Sequence, residues 1–164
     1  MTEKVFHAEL AAAFRASGFW MAKWPDQAIS AMQVAESGKL RFALPKPFDL
    51  VGAAPDGRFV AAECKLVRGF TFRLDARTLK QLETLRELQA RGGVAVLALN
   101  FRFQSKRAGR VNRAFLLHRF SGVGWEVLGD RWVIPSAEVV TGGWTELARR
   151  TGGWCLPEGE WWKP

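Results

Sequence analysis

Several residue types are scarce in this sequence. It has no tyrosine, two histidines and two cysteines, Cys64 and Cys155, with no CxxC pair or histidine cluster near them. This scarcity argues against a disulfide framework and against a cysteine–histidine zinc site. No apolar run approaches the roughly 20 residues of a membrane-spanning helix, and Glu3 lies where a secretory signal would be basic. We therefore expect an intracellular, cytoplasmic protein with no membrane partner.

Acidic residues are also few relative to basic ones. The 164 residues include 16 Asp and Glu against 24 Lys and Arg, which gives a net charge of +8 at pH 7. This surplus predicts a polyanionic partner, most simply nucleic acid. The hydrophobic share of 48% and the charged share of 24% are typical of a globular chain and exclude wholesale disorder. With no repeat or linker, we expect one domain over 1–164, with a core of about 1–120 and a tryptophan-rich extension of about 121–164.

The first part of the chain predicts a helix and then a strand hairpin. Apolar residues recur at helical spacing over residues 3–16, and Gly18 follows as a stop signal. Two short segments rich in apolar residues, 48–52 and 58–66, flank the turn sequence Pro55-Asp56-Gly57. Segments of this kind on either side of a strong turn predict two paired strands.

The rest of the chain predicts further strands and helices. Asp75 can cap a helix that runs to about Arg91, with a leucine at every third residue from Leu79. Residues 94–101 are nearly all apolar, which is typical of a central strand covered on both faces. The other predicted elements are an extended segment at 70–74, a strand at 114–120 and short helices near 136–140 and 144–150. This order predicts an α/β domain in which a central mixed β-sheet is flanked by α-helices.

Three charged residues are placed unusually in the predicted hairpin. Glu63 and Lys65 follow four small or apolar residues and point to the same face of their strand. Asp49 lies on the preceding strand, so its carboxylate can come within a few ångströms of Glu63. Two carboxylates this close repel each other unless a cation lies between them, and oxygen ligands suit Mg²⁺ or Mn²⁺. A divalent ion, a lysine and a basic protein together indicate metal-assisted phosphodiester hydrolysis.

These residues also carry a family resemblance. The pattern resembles the signature of the PD-(D/E)xK nucleases: it consists of Pro47-Phe48-Asp49, a spacing of thirteen residues, and Glu63-Cys64-Lys65. The stretch from Pro47 to Phe101 resembles Holliday junction resolvases of the RecU and archaeal types. In these proteins the E-x-K strand is followed by a helix and then by a buried strand. The helix carries a Gln and, four residues later, an apolar residue. That helix carries Gln81 and Leu85 here. The resemblance implies a restriction-endonuclease-like nuclease fold.

The resemblance implies roles for individual residues. Asp49 and Glu63 would bind Mg²⁺, or Mn²⁺ in its place, with the backbone carbonyl of Cys64 as a further ligand. Lys65 would position the attacking water, and Gln81 would orient Lys65 or the scissile phosphate. Glu9 matches in position a glutamate of the family's first helix, which would bind metal or water; a solvated residue beside the apolar stripe is the alternative. Members of the family act as homodimers on four-way junctions.

The sequence departs from the family pattern at two places. The proline is followed by Phe48 before the aspartate, rather than by the aspartate directly. Residues 19–45 form an insert that is longer than in the archaeal type, and the family's catalytic serine has no clear equivalent there, Ser30 and Ser37 being the candidates.

Basic residues flank the predicted site and follow it. The stretch Arg102–Arg113 has five basic residues and no acidic one, which usually indicates a solvated loop. In a protein of this charge with a nuclease-like site, phosphate contact is the favoured interpretation. The residues predicted to bind DNA are Lys46, Arg68, Arg73, Arg102, Lys106, Arg107, Arg110 and Arg113.

Two sets of aromatic residues allow more than one interpretation. Trp144, Trp154, Trp161 and Trp162 could stack on unpaired bases, but packing in the core or at a subunit interface is the favoured hypothesis. His7 and His118 are isolated in the sequence, and His118 is expected to be structural.

The sequence as a whole indicates a divalent-metal-dependent, structure-selective DNA endonuclease. The favoured hypothesis is a homodimeric Holliday junction resolvase acting in DNA recombination and repair. One alternative is a restriction- or repair-type endonuclease of the same superfamily. Another is a DNA-junction-binding protein without catalytic activity, whose carboxylates are structural.

Overall fold

A computed structural model describes residues 2–24, 47–120, 131–133, 144–151 and 153–163. Among these residues two helices and ten strands are formed. The helices are α1 (Glu3–Ala16) and α2 (Ala76–Ala90). The strands are β1 (Trp20–Lys23), β2 (Leu50–Ala53), β3 (Phe59–Val67), β4 (Thr71–Arg73), β5 (Val94–Ser105), β6 (Gly109–Leu117), β7 (Arg131–Val133), β8 (Trp144–Glu146), β9 (Ala148–Arg150) and β10 (Gly153–Cys155).

Six strands form one sheet in the order β1-β2-β3-β5-β6-β8. All neighbouring strands are antiparallel except β3 and β5, which are parallel. A parallel pair needs a crossover connection, and α2 lies within the connection between β3 and β5. The structure confirms the predicted α/β architecture of a mixed sheet flanked by helices.

The two helices cover opposite faces of the sheet. Alternate residues of β5 belong to two separate apolar clusters, Val96 and Ala98 to one, and Leu97 and Leu99 to the other. The first cluster contains the apolar residues of α1 and the second contains those of α2, so we name the two sides the α1 face and the α2 face. The near-continuous apolar sequence of β5 is explained by this burial on both sides.

The local signals in the sequence are confirmed at several points. The predicted hairpin is β2 and β3, which pair from Leu50 opposite Ala62 to Ala53 opposite Phe59. The side chain of Asp75 accepts a hydrogen bond from the backbone nitrogen of Thr78, at 2.7 Å, and so caps α2. Gly92 follows the helix with a positive φ of 87°, a conformation that favours glycine.

Residues 102–113 do not form the solvated loop that such a charged stretch usually indicates. Strand β5 continues to Ser105, and β6 begins at Gly109, so most of the stretch is a hairpin with its turn at 106–108. Alternation supports these strands, because Phe101, Phe103 and Val111 pack together in the α2-face cluster. The many charges concealed this alternation.

The prediction of a helix at 144–150 is also wrong. Strand β8 pairs with β6, and the backbone nitrogen of Leu147 donates to the carbonyl of Ala114 at 2.8 Å. Leu147 is buried in the α1-face cluster. Pairing with a sheet edge and burial of this leucine outweigh the helical propensity of the segment. The short helix expected near 136–140 lies outside the described residues.

Tryptophans near the C-terminus pack against the core, as the favoured hypothesis stated. Trp154 is buried, and Trp161 and Trp162 pack against the α1-face cluster. The ring of Trp161 stacks on Phe19 with centroids 6.1 Å apart. Neither described helix has the length and apolar character to cross a membrane.

Candidate metal and nucleic-acid site

Asp49 is held at the point where β2 begins. Its backbone nitrogen donates to the carbonyl of Ala62 at 3.1 Å, which extends the β2–β3 ladder by one residue. Its carboxylate oxygen Oδ2 accepts a hydrogen bond from the backbone nitrogen of Cys64 at 2.9 Å. Both bonds fix the carboxylate against β3, beside Glu63, as the hairpin register predicts.

Glu63 and Lys65 project together on the α2 face. Nζ of Lys65 lies 2.6 Å from Oε1 of Glu63, and it also donates to Oε1 of Gln81 at 2.9 Å. Nε2 of Gln81 donates to Oε1 of Glu63 at 2.5 Å. The three side chains therefore form a closed triangle between β3 and α2. The structure brings together Asp49, Glu63, Lys65 and Gln81, four of the residues proposed from the sequence.

Electrostatic repulsion is built into this arrangement. Burial first, and then the negative charge of Asp49, raise the pKa of Glu63 to about 6. The hydrogen bond and charge of Lys65, and the hydrogen bond from Gln81, lower the pKa of Glu63. Burial and the same two carboxylates raise the pKa of the Cys64 thiol well above its usual range. A cation bound beside Asp49 and Glu63 would relieve the repulsion between them.

The donor set at this point suits a divalent cation. Carboxylate oxygens are the preferred ligands of Mg²⁺ and Mn²⁺, and Asp49 and Glu63 supply them from adjacent strands. Lys65 contributes a single positive charge against the two carboxylates. The side chains present therefore fit a divalent cation held by Asp49 and Glu63.

His7 is a neighbour of the site that sequence reasoning missed. Its Nε2 lies 3.7 Å from Oδ2 of Asp49, and the residue is 7% exposed. Ligand atoms of His7, Asp49 and Cys64 all lie within 4.8 Å of one another. No local pattern could have revealed this contact, because it joins α1 to a residue far along the chain.

Glu9 has a different set of partners. Its Oε2 accepts a hydrogen bond from Nε1 of Trp154 at 3.1 Å and lies 4.0 Å from Arg102, while Oε1 lies 3.7 Å from Arg149. A partly buried carboxylate beside the apolar stripe of α1 is thus compensated by two arginines and an indole N–H. These contacts give Glu9 partners within the protein, and the metal-binding role that the resemblance implies for it stays a prediction.

Three of the predicted DNA-binding residues line one cavity. It has a volume of about 580 Å³, and Arg68, Arg102 and Arg110 contribute to its walls. The cavity lies where β3 ends opposite Phe101 while β5 continues as the long hairpin. Sequence reasoning foresaw the basic residues but not the cavity that they line.

The other predicted DNA-binding residues have different positions. Arg113 makes a two-pronged ion pair with Glu146, at 2.6 and 2.7 Å, and this hydrogen bonding raises the pKa of Arg113. Its charge is therefore compensated within the protein, and a DNA-binding role of Arg113 stays a prediction. Lys106 and Arg107 are exposed in the turn between β5 and β6, and Arg73 is exposed on β4. Lys46, Ser30 and Ser37 lie outside the described residues.

Comparison with known proteins finds similarity to solved structures. No protein-family model matches the chain, and no curated protein matches it. Among solved structures, the chain is similar to the Holliday junction resolvase Hjc of the archaeal hyperthermophile Archaeoglobus fulgidus, with a TM-score of 0.41 and 21% sequence identity. The similarity covers 68% of this chain and 74% of the other.

Proposed function

We propose that the protein is a divalent-metal-dependent DNA endonuclease that resolves four-way junctions. The observation that carries the proposal is the convergence of Asp49 and Glu63, with Lys65 tied to Glu63 and to Gln81. A buried carboxylate with a raised pKa beside a second carboxylate and a lysine is typical of a functional site, and a divalent cation held there would assist the hydrolysis of a phosphate ester.

Each side chain has a distinct task in this proposal. Asp49 and Glu63 hold Mg²⁺ or Mn²⁺, with the Cys64 carbonyl as a further ligand, and the cation when bound supplies positive charge to the scissile phosphate. Lys65 orients the attacking water and stabilises negative charge on the phosphate. Gln81 is a positioning residue, because it restrains both Glu63 and Lys65.

The basic cavity provides a place for DNA phosphates other than the scissile one. Arg68 follows Lys65 by three residues, which corresponds to roughly 10 Å along an extended chain. Phosphates bound by Arg68 and Arg110 would therefore belong to a part of the DNA roughly 10 Å from Lys65, whereas Arg102 is already paired with Glu9. Contacts of this kind position the nucleic acid without reading its sequence, as expected for an enzyme selective for structure.

Resolution of a junction requires two symmetric cuts. We propose that two copies form a two-fold homodimer, because such symmetry places two equivalent sites on the two cut strands. The resulting basic surface would select a junction by its shape.

Cleavage of a synthetic four-way junction tests the proposal. Linear duplex and single strands of the same sequence serve as controls, each with and without Mg²⁺ or Mn²⁺. We expect paired symmetric nicks in the junction only and only with metal. Glu63→Gln should abolish cleavage and preserve binding, whereas Glu83→Gln, an exposed glutamate on α2, should leave both unchanged.

Two other outcomes would change the proposal in defined ways. Equal cutting of linear duplex would indicate a restriction- or repair-type endonuclease. Tight junction binding without cutting in either metal would indicate a binding protein whose carboxylates are structural.

A further inference from the structure

A second basic cavity lies at the other end of α2, away from the carboxylates. It has a volume of about 730 Å³ and is formed by the start of β3, the end of α2, the residues after β6 and the C-terminal segment. Gln81 contacts the carboxylate site and Gln89 lines this cavity. Their separation of eight positions spans roughly 12 Å along the helix. The cationic side chains that line the cavity are Arg58, Arg86, Arg119 and Lys163.

The charge of this cavity is not balanced by its own walls. Among the described residues that line it there is no carboxylate. Arg58 is paired with Asp56 at 2.9 Å, and Lys163 with Glu160 at 2.5 Å. Among the described residues no acidic partner accompanies Arg86 or Arg119. Two arginine charges are thus available to an anion that enters the cavity.

Parts of the cavity wall are fixed in place. Nη2 of Arg58 donates to the carbonyl of Trp162 at 3.2 Å, and its guanidinium lies 5.2 Å from the centre of the Trp162 ring. Gln89 donates to the carbonyl of His118 at 2.7 Å and accepts from the backbone nitrogen of Phe120 at 2.8 Å. The first contacts link the residue before β3 to the C-terminal segment, and the bonds of Gln89 link α2 to the residues after β6.

His118 shows the effect of this environment. Burial first, and then the positive charge of Arg119, lower its pKa to about 4. The imidazole is therefore neutral near pH 7. The charge of the cavity at that pH comes from its arginines and lysine alone.

We propose that this cavity binds backbone phosphates of the DNA, at a distance from the point of cleavage. Guanidinium groups form paired hydrogen bonds with phosphate oxygens, and Arg86 and Arg119 are free of acidic partners within the described part of the chain. Arg58 lies five residues before Glu63, or roughly 17 Å along β3. That spacing corresponds to about five nucleotides of one strand in a duplex. This inference rests on the proposed function, since it concerns the same DNA.

The salt dependence of DNA binding tests the assignment. We compare the wild type with Arg86→Ala/Arg119→Ala, and with the matched control Lys4→Ala/Arg91→Ala, which also lowers the net charge from +8 to +6. Lys4 and Arg91 are exposed and lie outside the cavity. Affinity for a labelled four-way junction and a labelled duplex is measured by fluorescence anisotropy without divalent metal, over about 50–200 mM salt. Thermal unfolding verifies that both variants fold.

We expect the cavity variant to bind DNA roughly tenfold more weakly, with the slope of log affinity against log salt reduced by about 2. The control should keep the wild-type slope. An equal reduction in both variants would show a dependence on net charge only and would overturn the proposal. An unchanged slope in the cavity variant would overturn it as well.

Competition by inorganic pyrophosphate tests whether the ligand of this cavity is DNA or a free phosphate compound. We expect it to compete with DNA only at millimolar concentration. If it binds tightly through Arg86 and Arg119 while the DNA slope is unchanged, the cavity serves a free phosphate compound and the proposal is wrong. A reduced slope in a protein that cuts no DNA would leave the cavity assignment intact and remove the nuclease function. Absence of DNA binding by the wild type would overturn both.

Discussion

Oδ2 of Asp49 accepts the backbone N–H of Cys64 at 2.9 Å, although Asp49 lies one residue before β2 begins. The carboxylate thus takes the place that a backbone carbonyl would have if β2 were longer. This bond holds the side chain of Asp49 against β3. The same residue therefore completes the sheet and supplies a charge to the site.

Two substitutions at Asp49 separate these roles. Asp49→Asn keeps an oxygen that can accept the Cys64 N–H, so the stability should change little. Asp49→Ala removes the acceptor and should lower the free energy of unfolding by about 1–3 kcal/mol. Both variants lose the charge, and cleavage should fall by at least about 100-fold. Chemical denaturation and junction cleavage measure the two effects, and an active Asp49→Asn variant would contradict the metal-binding role.

The raised pKa of Glu63 predicts that the free energy of unfolding of the metal-free protein depends on pH in a specific way. Its folded-state pKa of about 6 lies above the ordinary value of 4.5, so between these values the unfolded chain binds fewer protons than the folded one. Stability from this group is therefore present below about pH 4.5 and is lost as the pH rises through 6. The loss amounts to about 2 kcal/mol.

Denaturation at several pH values measures this effect. The difference in unfolding free energy between Glu63→Gln and the wild type should grow in favour of the variant from pH 4.5 to above 6. Saturating Mg²⁺ or Mn²⁺ should stabilise the wild type above pH 6 and stabilise the variant less. A difference that is constant with pH would contradict the raised pKa of Glu63.

Gln81 should influence cleavage through Glu63 and Lys65. Gln81→Ala removes a donor to Glu63 and an acceptor from Lys65, and we expect kcat to fall about 10- to 100-fold. Because the hydrogen bond from Gln81 lowers the pKa of Glu63, the rise of cleavage with pH should also move to higher pH. Lys80→Ala, at the exposed neighbouring position, is the control. A loss of rate without a shift in the pH profile would indicate a merely structural role.

Glu9 should contribute to stability rather than to hydrolysis. Glu9→Gln weakens its ion pairs with Arg102 and Arg149, and the unfolding free energy should fall by about 1–3 kcal/mol. Cleavage at a temperature where the variant is folded should stay within a few-fold of the wild type. Glu3→Gln, on the exposed start of α1, is the control for charge. Loss of cleavage in folded Glu9→Gln would support the metal-binding role that the family resemblance implies.

The hairpin of β5 and β6 should contribute to DNA affinity without affecting the chemistry. Arg107→Ala/Arg110→Ala removes two charges near its tip, so binding should weaken and the salt slope should fall by about 2. Cleavage at saturating DNA should be preserved. The salt titration described for the second cavity measures the affinity and the salt slope. An unchanged slope would show that these arginines are only solvated.

The sequence predicted those parts of the fold that depend on local signals. The hairpin around Pro55-Asp56-Gly57, the Asp75 cap and the placement of Glu63 and Lys65 on one face all follow from neighbouring residues. The strand at 144–146 could not be predicted in this way, because its stability comes from pairing with β6 and from burial of Leu147. The charge on Arg102–Arg113 likewise obscured an alternation that the paired strands make evident.

In the candidate site, too, the residues that depend on local signals could be predicted and those that depend on distant contacts could not. The hairpin pattern was sufficient for Asp49, Glu63 and Lys65, whereas Gln81 was chosen through the family resemblance, and its contacts with Glu63 and Lys65 agree with that choice. His7 and the true partners of Glu9 depend on how α1 lies against the sheet and against β9 and β10. Such contacts join distant parts of the chain and leave no periodic signal.

The single parallel pair in the sheet has a consequence for the folding pathway. Asp49 and Glu63 meet through a hairpin with a short connection, which closes with little loss of chain entropy. Gln81 reaches them only as part of the crossover between β3 and β5, a slower, non-local step. The two carboxylates should therefore come together before Gln81 restrains Lys65. During that interval their repulsion is opposed by fewer hydrogen bonds, so protons or divalent cations in solution should influence the rate at which the native protein forms.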